Sequence, residues 1–179
     1  IAIDDGRIVQ IGNLGDATGT TEIDARGLIV APGFIDVHIH SEVALVSPAN
    51  PTRYASVRQG VTTQVLAPDG FGWTHLEGER FRQMWDYISF ATGDADLGGP
   101  WPHAEDYLAI FPGHTPANVI PEVPHLPIRL AAMGWDDRPA TDAELDVMKE
   151  FVQEWLDAGA VAFNTGLDYQ PTAFADSAS

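Results

Sequence analysis

The sequence contains no cysteine, and this absence excludes disulfide bonds and thiolate metal sites. Basic residues are also few, because 9 lysines and arginines stand against 26 aspartates and glutamates and leave a formal net charge of −17. Such an acidic surface repels nucleic acid and anionic membranes, so we expect neither as a partner. No apolar run reaches the roughly 18 residues of a membrane span and no signal segment opens the chain, which predicts a cytoplasmic protein.

The remaining composition is typical of a folded α/β protein with many loops. Hydrophobic residues make up 45% of the 179 positions, and there are 17 glycines and 13 prolines. Residues 1–31 alternate apolar and polar side chains around Asp5-Gly6, which predicts a hairpin and further short strands. Strand and helix patterns then alternate, which predicts parallel strands joined by right-handed crossovers. The strands predicted to be neighbours are residues 34–40, 62–69, 118–124 and 160–166.

The clearest helix pattern is in the sequence RPATDAELDVMKEFVQEWLDAGA. Thr141 and Glu144 have the spacing of a capping box, and Gly159 favours the end of the helix. Apolar residues recur at helical spacing between these ends, so one face of the helix is predicted to be buried.

A pair of histidines, His38 and His40, ends the stretch GLIVAPGFIDVHIH. Residues two apart on a strand point to the same face, so both imidazoles are predicted to project together. Neutral imidazole is the commonest metal-ligand side chain, and the pair could therefore form half of a metal site. The alternative for an isolated pair is two ordinary histidines that are hydrogen-bonded to loops or water.

Four stretches resemble the amidohydrolase superfamily, and in particular its D-aminoacylase branch, the N-acyl-D-amino-acid deacylases. They are GLIVAPGFIDVHIH, RQGVTTQVLAPDGFGW, AAMGWDDRPATDAELDVM and AGAVAFNTGLDYQP. The resemblance implies part of a small β-sandwich domain at residues 1–31. It also implies the first half of a (β/α)8 TIM-type barrel at residues 32–179.

The same resemblance implies one or two divalent ions, usually zinc, which activate a water for attack on an amide carbon. His38 and His40 match the metal ligands of the superfamily. The D-aminoacylase branch has a bridging cysteine at the end of its second barrel strand, where this sequence has Asp69 in APDGFG. A carboxylate can also bind such an ion. The alternative is that Asp69 only begins an Asp-Gly turn.

Three further residues are predicted to contact the substrate because they match stretches of the family. His125 and Arg129 lie in PHLPIR, where the family has a histidine followed by an arginine, although the flanking glycines are missing here. Tyr169 lies in GLDY, near the position of the acyl-amino-acid moiety in the family. A loop histidine without a role in the site is the alternative for His125. The single lysine, Lys149, lies within the predicted helix, so a carbamylated lysine bridge at a strand end is not expected.

An eight-stranded barrel takes roughly 250 residues, so we expect this chain to be an N-terminal fragment that is also trimmed before Ile1. The catalytic general base is expected beyond Ser179, and the remaining barrel could be a separate chain. The resulting hypothesis is a metal-dependent hydrolase that cleaves the amide C–N bond of N-acyl-D-amino acids or similar small-molecule amides. The alternatives are another amidohydrolase, such as a dipeptidase or cyclic-amide hydrolase, and a catalytically incomplete fragment that acts only as a folding or interaction module.

Overall fold

The computed structural model describes residues 1–93 and 97–176, and the chain divides into two compact units, Ile1–Pro32 and Gly33–Ser179. In the first unit, strands β1 (Ala2–Asp4) and β2 (Arg7–Gln10) pair in antiparallel orientation, which confirms the predicted hairpin. Its turn residues, Asp5-Gly6, have the left-handed φ angles of 47° and 69° that such a tight connection requires.

Residues 11–32, all of which the structure describes, contain turns and bends but no strand, so the further short strands predicted there are wrong. Side-chain oxygens bind nearby backbone N–H groups in this segment instead. Asn13 accepts a hydrogen bond from the N–H of Gly15, and Asp24 accepts one from the N–H of Arg26. Such local bonds compete with a strand ladder. The domain boundaries predicted from the sequence, 1–31 and 32–179, stay a prediction.

The second unit is a mixed α/β fold built around parallel strands. Strands β3 (Phe34–Asp36), β4 (Val61–Val65) and β5 (Asn118–Ile120) form a parallel sheet in that order. A second parallel pair joins β6 (Val123–Pro124) to β7 (Phe163–Asn164). The four predicted segments are therefore parallel, and the third segment contacts both the second and the fourth.

The strands are shorter than predicted, and the first one ends at Asp36 rather than at His40. The Asp36 side chain accepts a hydrogen bond of 3.2 Å from the backbone N–H of His38. This bond turns the chain away from the ladder, so both histidines lie just beyond the carboxyl end of β3 rather than within it.

Helices and short turns connect the strands. The longest helix of the described residues, α6 (Asp142–Asp157), begins with the predicted capping box, in which Thr141 and Glu144 bind each other's backbone N–H groups. The six α-helices of the described residues are α1 (Glu42–Val46), α2 (Ala55–Arg58), α3 (Gly78–Thr92), α4 (Ala104–Leu108), α5 (His125–Met133) and α6 (Asp142–Asp157). Single 3₁₀ turns lie at Pro51–Tyr54, Pro68–Gly70 and Thr172–Phe174. Among the described residues, every helix is too short or too polar to cross a lipid bilayer.

The core of this unit is rich in aromatic side chains and anchors the segment that follows β4. Trp73 and Trp155 are almost fully buried and both contact the ring of Tyr107. Trp155 also donates a hydrogen bond of 3.2 Å to the hydroxyl of the buried Thr74. Helix α6 is thereby attached to the chain shortly after the turn that contains Asp69.

Candidate metal centre

Three predicted metal ligands, His38, His40 and Asp69, converge beyond the carboxyl ends of β3 and β4. One oxygen of Asp69, Oδ2, lies 3.2 Å from Nε2 of His40 and 3.7 Å from Nε2 of His38. The possible ligand atoms of the three side chains all lie within 4.8 Å of one another. No other group of three histidine or carboxylate ligands is this close in the part of the chain that the structure describes.

The two imidazoles differ in exposure. The side chain of His38 is 60% exposed, whereas that of His40 is 20% exposed. Burial lowers the pKa of His40, against the opposing attraction of the Asp69 carboxylate, so this imidazole is neutral at pH 7. Its buried Nδ1 has no hydrogen-bond partner among the described residues. A neutral imidazole keeps a lone pair for a cation.

Asp69 lies in a turn that is strongly bent in the left-handed sense. Ala67 has φ 62°, Asp69 has φ 58° and Gly70 has φ 71°. Aspartate tolerates this conformation better than most residues, and alanine rarely adopts it. Asp69 is therefore a turn residue, and this same turn points its carboxylate at the two imidazoles.

The chain after β7 packs directly against this turn. A Cβ atom on Gly166 would lie 2.7 Å from the carbonyl oxygen of Asp69, and one on Gly70 would lie 2.8 Å from that of Asn164. Both distances are shorter than real contacts allow, so glycine is needed at each position. The sequence shows two ordinary glycines there, and nothing in either local pattern indicates the contact.

Tyr169 lies near the three converging side chains and is separated from His40 by the ring of Phe71. The ring of Phe71 is 5.1 Å from that of His40 and 4.8 Å from that of Tyr169. Phe90 lies 6.4 Å from Tyr169 and is 70% exposed. Phe71 and Phe90 were not predicted from the sequence, because nothing in their local patterns distinguishes them from core residues.

His125 is buried at the start of α5 and does not join the three converging side chains. Its Nδ1 lies 2.8 Å from the hydroxyl of Thr165, and its ring packs on Phe163. Burial, together with the nearby Arg129, lowers the pKa of His125 to about 4. His125 and Phe163 line a largely apolar pocket of about 380 Å³ between α5 and α6. The contact between His125 and substrate stays a prediction.

Arg129 is fully buried on α5, where it binds backbone carbonyls. It donates hydrogen bonds of 3.0 Å to Pro171, 2.9 Å to Arg138 and 3.4 Å to Phe174. The bonds to Pro171 and Phe174 attach the segment that follows Tyr169 to the helix. A contact between Arg129 and substrate stays a prediction.

Known proteins resemble this chain over nearly its whole length. Residues 21–162 match a family described as "Amidohydrolase family". An N-acyl-D-aspartate deacylase from Alcaligenes xylosoxydans xylosoxydans is 38% identical over 183 residues, which cover 98% of this chain and 34% of the relative.

Two solved structures resemble the fold. A crystal structure of N-acyl-D-glutamate deacylase from Bordetella bronchiseptica, complexed with zinc and a phosphonate mimic of the tetrahedral intermediate, is 35% identical with a TM-score of 0.77. It covers 96% of this chain, which spans 35% of that one. A D-aminoacylase structure that concerns a binuclear metal centre is 27% identical with a TM-score of 0.62, over 81% of this chain and 29% of that one. The chain thus spans about a third of the length of these relatives, and they confirm the predicted resemblance to the D-aminoacylase branch.

Proposed function

The chain belongs to the amidohydrolase family, and from this premise we propose that the whole protein is a metal-dependent hydrolase of small-molecule amides. The bond cleaved is the amide C–N bond of N-acyl-D-amino acids or similar compounds. The observation that carries the proposal is the convergence of His38, His40 and Asp69 within 4.8 Å at the carboxyl end of parallel strands. The deacylase relatives support the choice of substrate.

The three side chains fit one divalent cation, and we propose that the site binds one or two such ions. Two imidazole nitrogens and a carboxylate oxygen suit zinc, manganese or cobalt. The lowered pKa of His40 and the position of its Nε2, 3.2 Å from Oδ2 of Asp69, fit a ligand role better than the role of a surface histidine. When bound, such a cation supplies Lewis acidity and lowers the pKa of water towards roughly 7.

The protein's own residues supply charge and orientation. The Asp69 carboxylate lies beside both imidazoles and would balance the positive charge of a bound cation. The rings of Phe71 and Tyr169 pack next to His40, where we propose that they exclude water and that Tyr169 contacts the acyl-amino-acid part of the substrate.

We further propose that the whole protein completes a (β/α)8 barrel, with residues 1–31 as part of a small β domain. The order β3-β4-β5 and the parallel link from β6 to β7 support a sheet that curves towards closure. Phe34 and Ile35 on β3 are 67% and 58% exposed. Apolar side chains of this size on an edge strand favour cover by further parts of a barrel, within the same protein or as a separate chain.

The test is metal analysis and an amidase assay of the full-length protein with N-acetyl derivatives of D-aspartate, D-glutamate and D-leucine and their L enantiomers. A His38→Ala/His40→Ala double variant should lose metal and fall close to background turnover while remaining folded. The exposed pair His103→Ala/His114→Ala is the matched control and should keep both properties. Wild-type turnover in the first variant would reduce the histidine pair to a structural role.

The same assay separates the alternative functions. Turnover of dipeptides or cyclic amides, without turnover of N-acyl-D-amino acids, would favour another amidohydrolase. Metal-free protein without turnover on any of these substrates would favour a folding or interaction module.

A further inference from the structure

A buried carboxylate lies outside the trio of His38, His40 and Asp69. It links the two chain segments that contain these three residues. Glu42 is 2% exposed and begins α1, two residues after His40. Its Oε1 accepts a hydrogen bond of 2.8 Å from the backbone N–H of Ala67, which lies two residues before Asp69. One side chain therefore connects the histidine segment to the Asp69 turn.

The bond ends on the most strained residue of that turn. Ala67 has φ 62° and ψ 36°, a left-handed conformation that alanine rarely adopts. Such strain persists only where surrounding contacts hold it, and it is concentrated at functional sites. The N–H group that Glu42 binds belongs to this residue, so the bond restrains the point at which the chain bends towards Asp69.

The Glu42 side chain also brings an unfavourable contribution to this position. The second oxygen, Oε2, is buried without a hydrogen-bond partner among the described residues. A buried polar atom that lacks a partner is unfavourable, and this cost offsets part of what the hydrogen bond to Ala67 contributes to stability. The neighbouring Ser41 already joins the same segments through a buried hydrogen bond to Gln64. What Glu42 adds is the contact to the turn itself.

We propose that Glu42 is a positioning residue which holds the Asp69 carboxylate in register with His38 and His40, so that the three ligands are arranged before a cation binds. The inference rests on the proposed function, because it takes the trio to be a metal site. Partners that orient ligands from outside the coordination sphere typically contribute roughly 10- to 100-fold to metal affinity. Glu42 is expected to contribute within that range.

The experiment is a Zn²⁺ titration of full-length, metal-stripped protein against a chelating dye, with the visible spectrum of the Co²⁺ form as a second readout. Glu42→Ala removes the acceptor for Ala67 and should weaken Zn²⁺ binding roughly 10- to 100-fold and alter the Co²⁺ spectrum. Glu42→Gln keeps an oxygen acceptor at the same reach and should restore most of the affinity. Ser41→Ala is the matched control, because it loses a buried hydrogen bond between the same segments without touching the turn. It should lower stability and leave the Co²⁺ spectrum unchanged.

Folded Glu42→Ala protein with wild-type Zn²⁺ affinity and Co²⁺ spectrum would overturn the positioning role. If Glu42→Ala does not fold, Glu42→Asp replaces it, because its shorter side chain cannot reach Ala67 and should show the same loss of affinity. Equal losses in Ser41→Ala and Glu42→Ala would also overturn the proposal, since they would show a general effect of packing. Wild-type protein that binds no Zn²⁺ would instead overturn the proposed function, whereas normal wild-type binding with an unaffected Glu42→Ala would refute only the inference.

Discussion

Asp69 combines two roles that the sequence presents as alternatives. Its backbone occupies the left-handed position of an Asp-Gly turn, and its side chain contacts both imidazoles. A turn role alone would be satisfied by asparagine, which also tolerates this conformation. The two roles can therefore be separated by changing the charge of the side chain and leaving its shape nearly unchanged.

We expect Asp69→Asn to fold with wild-type stability but to bind metal at least roughly 10- to 100-fold more weakly. Loss of a residue that only orients a ligand from outside the coordination sphere already costs that much, and Asp69 is proposed to be a direct ligand. Asp69→Cys should retain zinc and lose manganese, because thiolate is a softer ligand than carboxylate. The measurements are thermal unfolding and titration of each metal. Unchanged affinity and stoichiometry in Asp69→Asn would reduce this residue to turn chemistry and leave only the two histidines as ligands.

His125 makes stability depend on pH through its burial. Its pKa is lowered from 6.5 to about 4 in the fold, so the unfolded chain binds a proton that the folded chain excludes. The associated stability is fully present above pH 6.5 and is lost as the pH falls towards 4. The complete loss amounts to about 3 kcal/mol.

Urea unfolding of metal-free protein between pH 7.5 and pH 4 measures this effect. His125→Asn removes the titrating ring and keeps a polar group near Thr165, so its stability should fall less steeply than that of the wild type over this range. Parallel curves for the two proteins would show that His125 does not carry the pH dependence. The exposed His114→Asn is the matched control and should follow the wild-type curve.

At the scale of elements, α6 shows how a short signal in the sequence determines a boundary. Thr141 accepts a hydrogen bond from the backbone of Glu144, whose carboxylate also receives two hydrogen bonds from Arg138. These contacts depend on residues at most six apart, so they are visible in the sequence. The end of β3 is also local, but the sequence predicts that the strand continues through residues 37–40, because the side-chain bond from Asp36 to the backbone of His38 competes with an equally favourable strand pattern.

We expect Thr141→Ala to lower the free energy of unfolding by about 1 kcal/mol, because the first turn of α6 loses its cap. Thr141→Ser keeps the hydroxyl and should restore most of that stability. Metal affinity should be the same in both variants, since neither contacts the trio. Chemical denaturation and Zn²⁺ titration check both statements, and a loss of affinity in Thr141→Ala would show that the helix start is coupled to the candidate site.

At the scale of the molecule, the sequence sufficed for the parallel α/β pattern and for the three converging side chains. It did not reveal Glu42, Phe71 or Gly166. Their contacts join segments that are far apart in the chain, such as Glu42 and Ala67, which are separated by 25 positions. A buried carboxylate, a phenylalanine and a glycine each have many structural explanations, and only the packed fold selects one. The residues that support a site are thus harder to predict than those expected to bind the ligand.

The contact between Gly166 and the Asp69 carbonyl has a consequence for protein engineering. The backbones of residues 67–70 and 164–166 pack directly against each other. A turn transplanted from a relative with a different ligand after the second strand would therefore face a segment 164–166 that does not match it. Donor and recipient should exchange both segments together. A library that varies Asp69 should leave Gly70 and Gly166 untouched, so that changes of metal preference are selected without collapse of the turn.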